Sequence, residues 1–87
     1  MYELEIEIKA VREVKKFPKS DQEKIIKKIE SLKENPRPFG YEPLQGELSD
    51  YYRVRFGNYR IIYEICDTKL FVLVVKIATR GKVYKKR

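Results

Sequence analysis

Two runs of alternating side chains meet at Gly57-Asn58: YYRVRF before it, Tyr51 to Phe56, and YRIIYEI after it, Tyr59 to Ile65. Two residues between strands, glycine first, predict a β-hairpin with a type II′ turn. A loop that short fixes the register. Phe56 then faces Tyr59, Arg55 faces Arg60, Val54 faces Ile61 and Arg53 faces Ile62. Side chains alternate along a strand, so Tyr52, Val54, Phe56, Tyr59, Ile61 and Tyr63 share the face that meets the core. Arg53, Arg55 and Arg60 share the other.

The rest of the chain supplies a layer for that core. YELEIEIK alternates as a half-buried strand, with Tyr2, Leu4, Ile6 and Ile8 on one side and Glu3, Glu5 and Glu7 on the other. A first helix is expected from Ala10 to Phe17, with Val11, Val14 and Phe17 buried and Pro18 closing it. A second follows, opened by a Ser20–Glu23 capping box. Ile25, Ile26, Ile29 and Leu32 form its apolar face, and Asn35-Pro36 ends it. Arg37 to Asp50, with Pro38, Gly40, Pro43 and Gly46, reads as a connecting loop. CDTK makes a second turn, with Cys66 an incidental thiol. The run from Lys69 to Thr79 is apolar on both faces, as a central strand is. Strand, helix, helix and three strands give one α+β domain over residues 1–87, a three-stranded antiparallel meander and an N-terminal strand in a single sheet, with a two-helix hairpin packed on one face.

The composition narrows the function. The net charge of +7 lies wholly in the second part: residues 51–87 carry ten Lys or Arg and only Glu64 and Asp67 as acids. Such a field suits a polyanion, nucleic acid first and an acidic protein second; the plain alternative is a basic surface kept for solubility. The chain has no histidine. That removes the usual acid–base group at neutral pH, the Ser-His and Cys-His nucleophile pairs and most zinc sites. A single cysteine rules out an internal disulfide and fits a reducing, cytoplasmic compartment. No apolar run approaches the ~20 residues of a membrane span, and the acidic start is unlike a secretory signal. A chain this short buries only about 60% of its unfolded surface, so a partner that binds the fold would add to its stability.

Opposed like charges destabilise a strand pair, so Arg55 beside Arg60 breaks a local rule, as functional sites do. An anion over the pair reverses the sign, and guanidinium forks match phosphate oxygens. The plain alternative is that both splay into water or stack on Tyr51. Under strict alternation Val72, Val74, Lys76, Ala78 and Arg80 share one side, which brings Arg80 out near Arg53–Arg60. Lys76, Lys82, Lys85, Lys86 and Arg87 are candidate RNA-binding positions. Tyr84, within the last basic run, can stack on a base or exchange a proton.

Leu44-x-Gly46, the hairpin YRVRFGNYRIIYEI and an Arg80 followed four residues on by Tyr84 resemble the RelE/ParE superfamily of toxins, and the RelE-type ribonucleases in particular. The resemblance implies a small sheet carrying two helices, and an activity: cleavage of messenger RNA in the ribosomal A site by attack of the RNA's own 2′-hydroxyl on the adjacent phosphate. No metal or cofactor is implied. Arg60 matches the arginine that holds the phosphate, Arg53 and Arg55 a basic pair at the scissile phosphate that is often lysine, Arg80 the arginine near the leaving oxygen, and Tyr84 the tyrosine that orients or stacks on RNA. The implied partners are the ribosome, its messenger RNA and an acidic RelB-like antitoxin.

The sequence departs from the family in having arginine at both positions of the pair. It also ends at Arg87, short of any helix after the last strand, and it lacks the histidine that some relatives use. Arginine is a poor proton carrier, which leaves Tyr84 as the candidate base. Two rivals follow: a ParE-like toxin that poisons DNA gyrase, against which Arg60, Arg80 and Tyr84 together argue, and an RNA- or ribosome-binding module whose nuclease activity has decayed.

Overall fold

The N-terminal alternation forms strand β1, Glu3–Ile6, in a computed structural model that describes residues 1–46 and 50–79. The strand ends before its pattern does. Ile8 does not join Leu4 and Ile6; it opens helix α1, Ile8–Val14, and is 70% exposed. The cause lies in its partner. β1 pairs in parallel with the first half of β5, Phe71–Thr79, from Glu3 opposite Phe71 to Ile6 opposite Val74. Glu7 N–H makes the last link, to Val74 O at 2.9 Å, and past that point β5 is irregular.

Helix α1 buries Ala10 and Val14; Val11, expected inside, is partly exposed. Tighter turns carry the chain on to Phe17 through Phe17 N–H to Val14 O, and the Gln22 side chain donates to Phe17 O at 2.8 Å. Helix α2 spans Lys19–Ser31. No side chain caps it, so the expected Ser20–Glu23 box does not form: Pro18, with its ring-fixed φ, takes the N-cap place and Ser20 falls inside the first turn. Ile25, Ile29 and Leu32 are buried while Ile26 is exposed to 37%, a narrower apolar stripe than the sequence implied.

Among the described residues the sheet has five strands in the order β1-β5-β4-β3-β2. Strand β2, Glu42–Pro43, lies within the expected loop and pairs antiparallel with β3, Tyr51–Phe56. Strand β4, Tyr59–Cys66, follows the hairpin turn and takes in Cys66, expected in the next turn. β5 runs between β1 and β4, as its two apolar faces required. The helices cover one face, where Ala10, Val14, Ile25, Ile29 and Leu32 pack with Val54, Ile61, Tyr63, Val72, Val74 and Ile77. Tyr63 is fully buried, and its hydroxyl donates to Pro36 O at 2.7 Å. An unsatisfied hydroxyl there would cost about 1–3 kcal/mol. No described helix is long and apolar enough to cross a membrane.

A polar clamp ties the segment after α2 to the β4–β5 turn. Arg37 grips Asp67 through two nitrogens, at 3.1 and 2.8 Å, and Tyr2 donates its hydroxyl to the same carboxylate at 2.7 Å. These donors hold the Asp67 carboxyl at a pKa of about 2, with Arg37 the main cause. The carboxylate therefore stabilises the fold above its ordinary pKa, near pH 4, and loses that contribution as pH falls toward 2. In urea titrations the wild-type midpoint should drop between about pH 4 and pH 2. Asp67→Asn should start lower at neutral pH and lose that part of the slope; equal slopes would remove Asp67 from the clamp.

Candidate functional site

The hairpin turn forms as its two residues dictate. Gly57 has φ +61 and Asn58 has no positive φ, the type II′ pattern. Phe56 faces Tyr59, Arg55 faces Arg60, Val54 faces Ile61 and Arg53 faces Ile62, each as expected. In a two-residue hairpin the pair beside the loop is hydrogen-bonded. Arg55 and Arg60 therefore form the next, non-hydrogen-bonded pair, whose Cα atoms stand only about 4.5 Å apart. Two like-charged residues are paired at the closest backbone spacing a sheet offers.

β5 completes this face by a route that alternation alone does not give. Tyr63 pairs with Val74 but Ile62 pairs with Lys76, so Val75 is an extra residue in β5. The bulge shifts the parity. Val72 and Val74 stay in the core, whereas Lys76 and Ala78 do not share their side, as strict alternation had it; they lie beside Ile62 and Arg60 on the arginine face. Read across the sheet, the first row is Arg55–Arg60–Ala78 and the second Glu42–Arg53–Ile62–Lys76. The third is Tyr51–Glu64–Leu73–Glu5 and the fourth Cys66–Phe71–Glu3. The basic groups gather at the hairpin end and the acids at the other.

The cations differ in their surroundings. Arg55 is exposed and makes no ion pair among the described residues. Arg60 is half-buried, with its Nε nitrogen shut off from water. Arg53 is not an open cation: it is hydrogen-bonded to the carboxylate of Glu42 on β2. Lys76 binds Glu13 of α1 at 3.0 Å, and the second oxygen of Glu13 accepts Ile77 N–H at 2.8 Å. Two of the expected cations thus come with carboxylates that the sequence reading did not attach to them. Arg80, Lys82, Tyr84, Lys85, Lys86 and Arg87 lie outside the described residues.

Glu42 is the residue that sequence reasoning missed, because a two-residue strand leaves no periodic signal. The hydrogen bond from Arg53, then its charge, hold the Glu42 carboxyl below the usual carboxylate range, with a smaller contribution from Arg55. It is an ionised proton acceptor within the cationic rows. No group of three or more His, Cys, Asp or Glu is placed to hold a metal among the described residues.

A helix-backed mixed sheet with an arginine pair at one hairpin places the chain in a class of small α+β domains. The model of the ParE toxin of the type II toxin–antitoxin system, parDE, matches residues 4–84, and the chain belongs to this RelE/ParE toxin family. Its likeness is to RelE-type members. It is 32% identical over 87 residues to the protein named toxin RelE1 of Methanocaldococcus jannaschii, covering 97% of this chain and 96% of that one. It is 30% identical over 83 residues to the mRNA interferase toxin RelE of Escherichia coli, covering 93% and 85%. The RelBE2 toxin–antitoxin complex of Mycobacterium tuberculosis contains a chain that superposes with a TM-score of 0.83 at 25% identity, covering 91% of this chain and 98% of that one.

The opposed pair makes a measurable claim. Arg55→Gln should raise the unfolding free energy by about 0.2–1 kcal/mol. The gain should shrink in 1 M salt, where the screening length falls to about 3 Å. A loss of stability at low salt would mean that the pair is not under repulsion.

Proposed function

We propose that this toxin is a metal-independent endoribonuclease that cuts messenger RNA in the ribosomal A site, and that an acidic RelB-like antitoxin restrains it. The observation that carries the reading is the Arg55–Arg60 pair, set at minimal spacing on the face away from the helices. Repulsion there is relieved when a phosphate lies between the guanidinium groups. The E. coli relative named an mRNA interferase supports the activity, and the M. tuberculosis complex supports the partner. The ribosome and its message are the remaining partners.

In the proposed reaction the 2′-oxygen attacks the adjacent phosphorus and the bond to the 5′-oxygen breaks, leaving a cyclic phosphate and a free 5′-hydroxyl. The 2′ proton passes to a base, and the leaving oxygen takes a proton from water. Arg55 and Arg60 carry the charge that grows on the phosphoryl oxygens, with Arg80 at the leaving oxygen. Arg53 holds Glu42 in place as well as adding charge. Lys76, Lys82, Lys85, Lys86 and Arg87 hold the flanking strand. Two groups compete for the base: Glu42, already ionised at neutral pH, and Tyr84, which would need a lowered pKa. Tyr84 otherwise stacks on the RNA.

The match to the ParE toxin family favours a second reading, a ParE-like toxin, for which the target would be DNA gyrase. Toe-printing of translating ribosomes separates the two. Cuts within A-site codons support the nuclease, intact RNA with inhibited supercoiling supports the gyrase poison, and ribosome binding without cuts supports a decayed module.

Given cleavage, Arg60→Ala should lower its rate about 10²–10³-fold, the usual cost of one placed charge donor. The base is found from pH–rate profiles. With Glu42 as base, the rate holds at neutral pH and falls in the acid range, and Glu42→Gln abolishes that limb. With Tyr84 as base, the rate climbs in alkali and Tyr84→Phe abolishes the climb.

A further inference from the structure

Beside the hairpin tip, on the face opposite the arginines, lies a half-open cavity of about 410 Å³. Asp21 and Lys24 of α2 line one side; Phe56, Gly57, Asn58 and Tyr59 line the other. We propose that this cavity is a nucleobase subsite, which takes the base next to the nucleotide whose phosphate lies on Arg55 and Arg60. The proposal rests on the reading of the arginine face as an RNA site, and adds to it a base-reading pocket.

Place is the first argument. Phe56–Tyr59 is the rung after Arg55–Arg60, about 3.3–3.4 Å further along the strand. The side chains of this rung point the other way, and beyond it only the two-residue turn remains. A strand that leaves the arginine pair at the hairpin end crosses a narrow tip and meets the cavity with its next base. Unstacked bases of single-stranded RNA are held in this manner, on aromatic rings with polar groups at their edges.

Chemistry is the second. Tyr59 is held from two sides, by the Phe17 ring at 4.6 Å between centroids and by its hydroxyl, which donates to Asp21 Oδ2 at 2.6 Å. That hydrogen bond is the main reason the Tyr59 phenol is pushed up to about 12, so the ring stays neutral and fixed. Phe56 adds a second aromatic wall. A carboxylate bonded by one hydroxyl keeps acceptor capacity, so Asp21 can receive N–H donors from a base edge. The same charge repels phosphate, which makes the cavity unsuited to a second phosphate. Lys24 is an exposed cation at its rim, and the Asn58 amide offers both a donor and acceptors. An acceptor of this kind favours adenine, cytosine and guanine, whose exocyclic amino groups offer two N–H donors, over uracil, which offers the single N3–H.

The test is an NMR titration of the full chain with 2′-O-methyl trinucleotides, which cannot undergo 2′-hydroxyl attack, varied at one base. The Gly57 and Asn58 amides should shift together with Arg55 and Arg60. The amino-bearing bases should bind about tenfold tighter than uracil. Asp21→Asn keeps an oxygen for the Tyr59 hydroxyl and should level that preference. Asn58→Ala, at an exposed turn position of ordinary φ, should weaken it without disturbing the fold. Shifts confined to the arginines, with equal affinity for all bases, overturn the subsite and leave the arginine reading standing. Shifts at both places with a preference that neither variant alters overturn it as well. No shift anywhere overturns the subsite, and the arginine reading then stands or falls on the toe-printing of translating ribosomes.

Discussion

Everything on the open face depends on how few residues separate β3 from β4. With Gly57 at φ +61 the turn closes in two residues, and no slack remains for another pairing. A slip of one residue would exchange the faces of a strand, putting Arg53 and Arg55 where Val54 now lies 2% exposed. Burying an unpaired guanidinium costs far more than a like-charge contact in water. The core therefore enforces the pairing of Arg55 with Arg60. The repulsion is the smaller of two penalties, and the fold tolerates it because Val54, Ile61 and Tyr63 pin the opposite face.

The second constraint is the extra residue in β5. Were Val75 paired in regular alternation instead of bulged, the strand would carry Lys76 and Ala78 toward the helices, and the arginine face would end at β4. The bulge also ends β1, because a parallel partner cannot follow the ladder past it. Among the described residues that leaves the second half of β5 paired with β4 but without a strand on its β1 side, and open strand edges invite pairing with other chains. Glu13 answers this from α1, accepting Ile77 N–H with one oxygen and Lys76 with the other. One irregularity thus links the length of β1, the acid on α1 and the cation on the open face.

These two constraints were unequally legible in the sequence. The hairpin could be read in full because its cause is local: a glycine, an asparagine and two alternating runs. The central place of β5 followed from side chains apolar on both faces. The bulge was not read, although LFVLVVKIA carries one sign of it: Lys76 follows Val75 and strict alternation sets it on the side of Val72 and Val74, while the apolar residues before it fit either face. Ile8 fitted the strand pattern and was claimed by a helix for want of a partner strand. Ser20 and Glu23 had the spacing of a cap, yet the stiffer Pro18 set where the helix begins. Glu42 was hidden because strand β2 owes its existence to β3, not to its own residues.

The carboxylates on the open face then give its electrostatics a direction. Glu42 lies in the second row, where it binds one arginine and leaves Arg55 and Arg60 as the cationic end. Glu64, Glu5 and Glu3 occupy the third and fourth rows, interleaved with Leu73 and Phe71. A polyanion laid on this face would gain at the hairpin end and lose toward β1, so charge alone would set its position along the strands. Separations across these rows are comparable to the screening length of about 8 Å at physiological salt, so the gradient is felt locally. The same gradient would draw an acidic partner to the end that the proposed RNA would occupy. Restraint by occlusion would then require no separate inhibitory site, only a competitor for the Arg55–Arg60 pair.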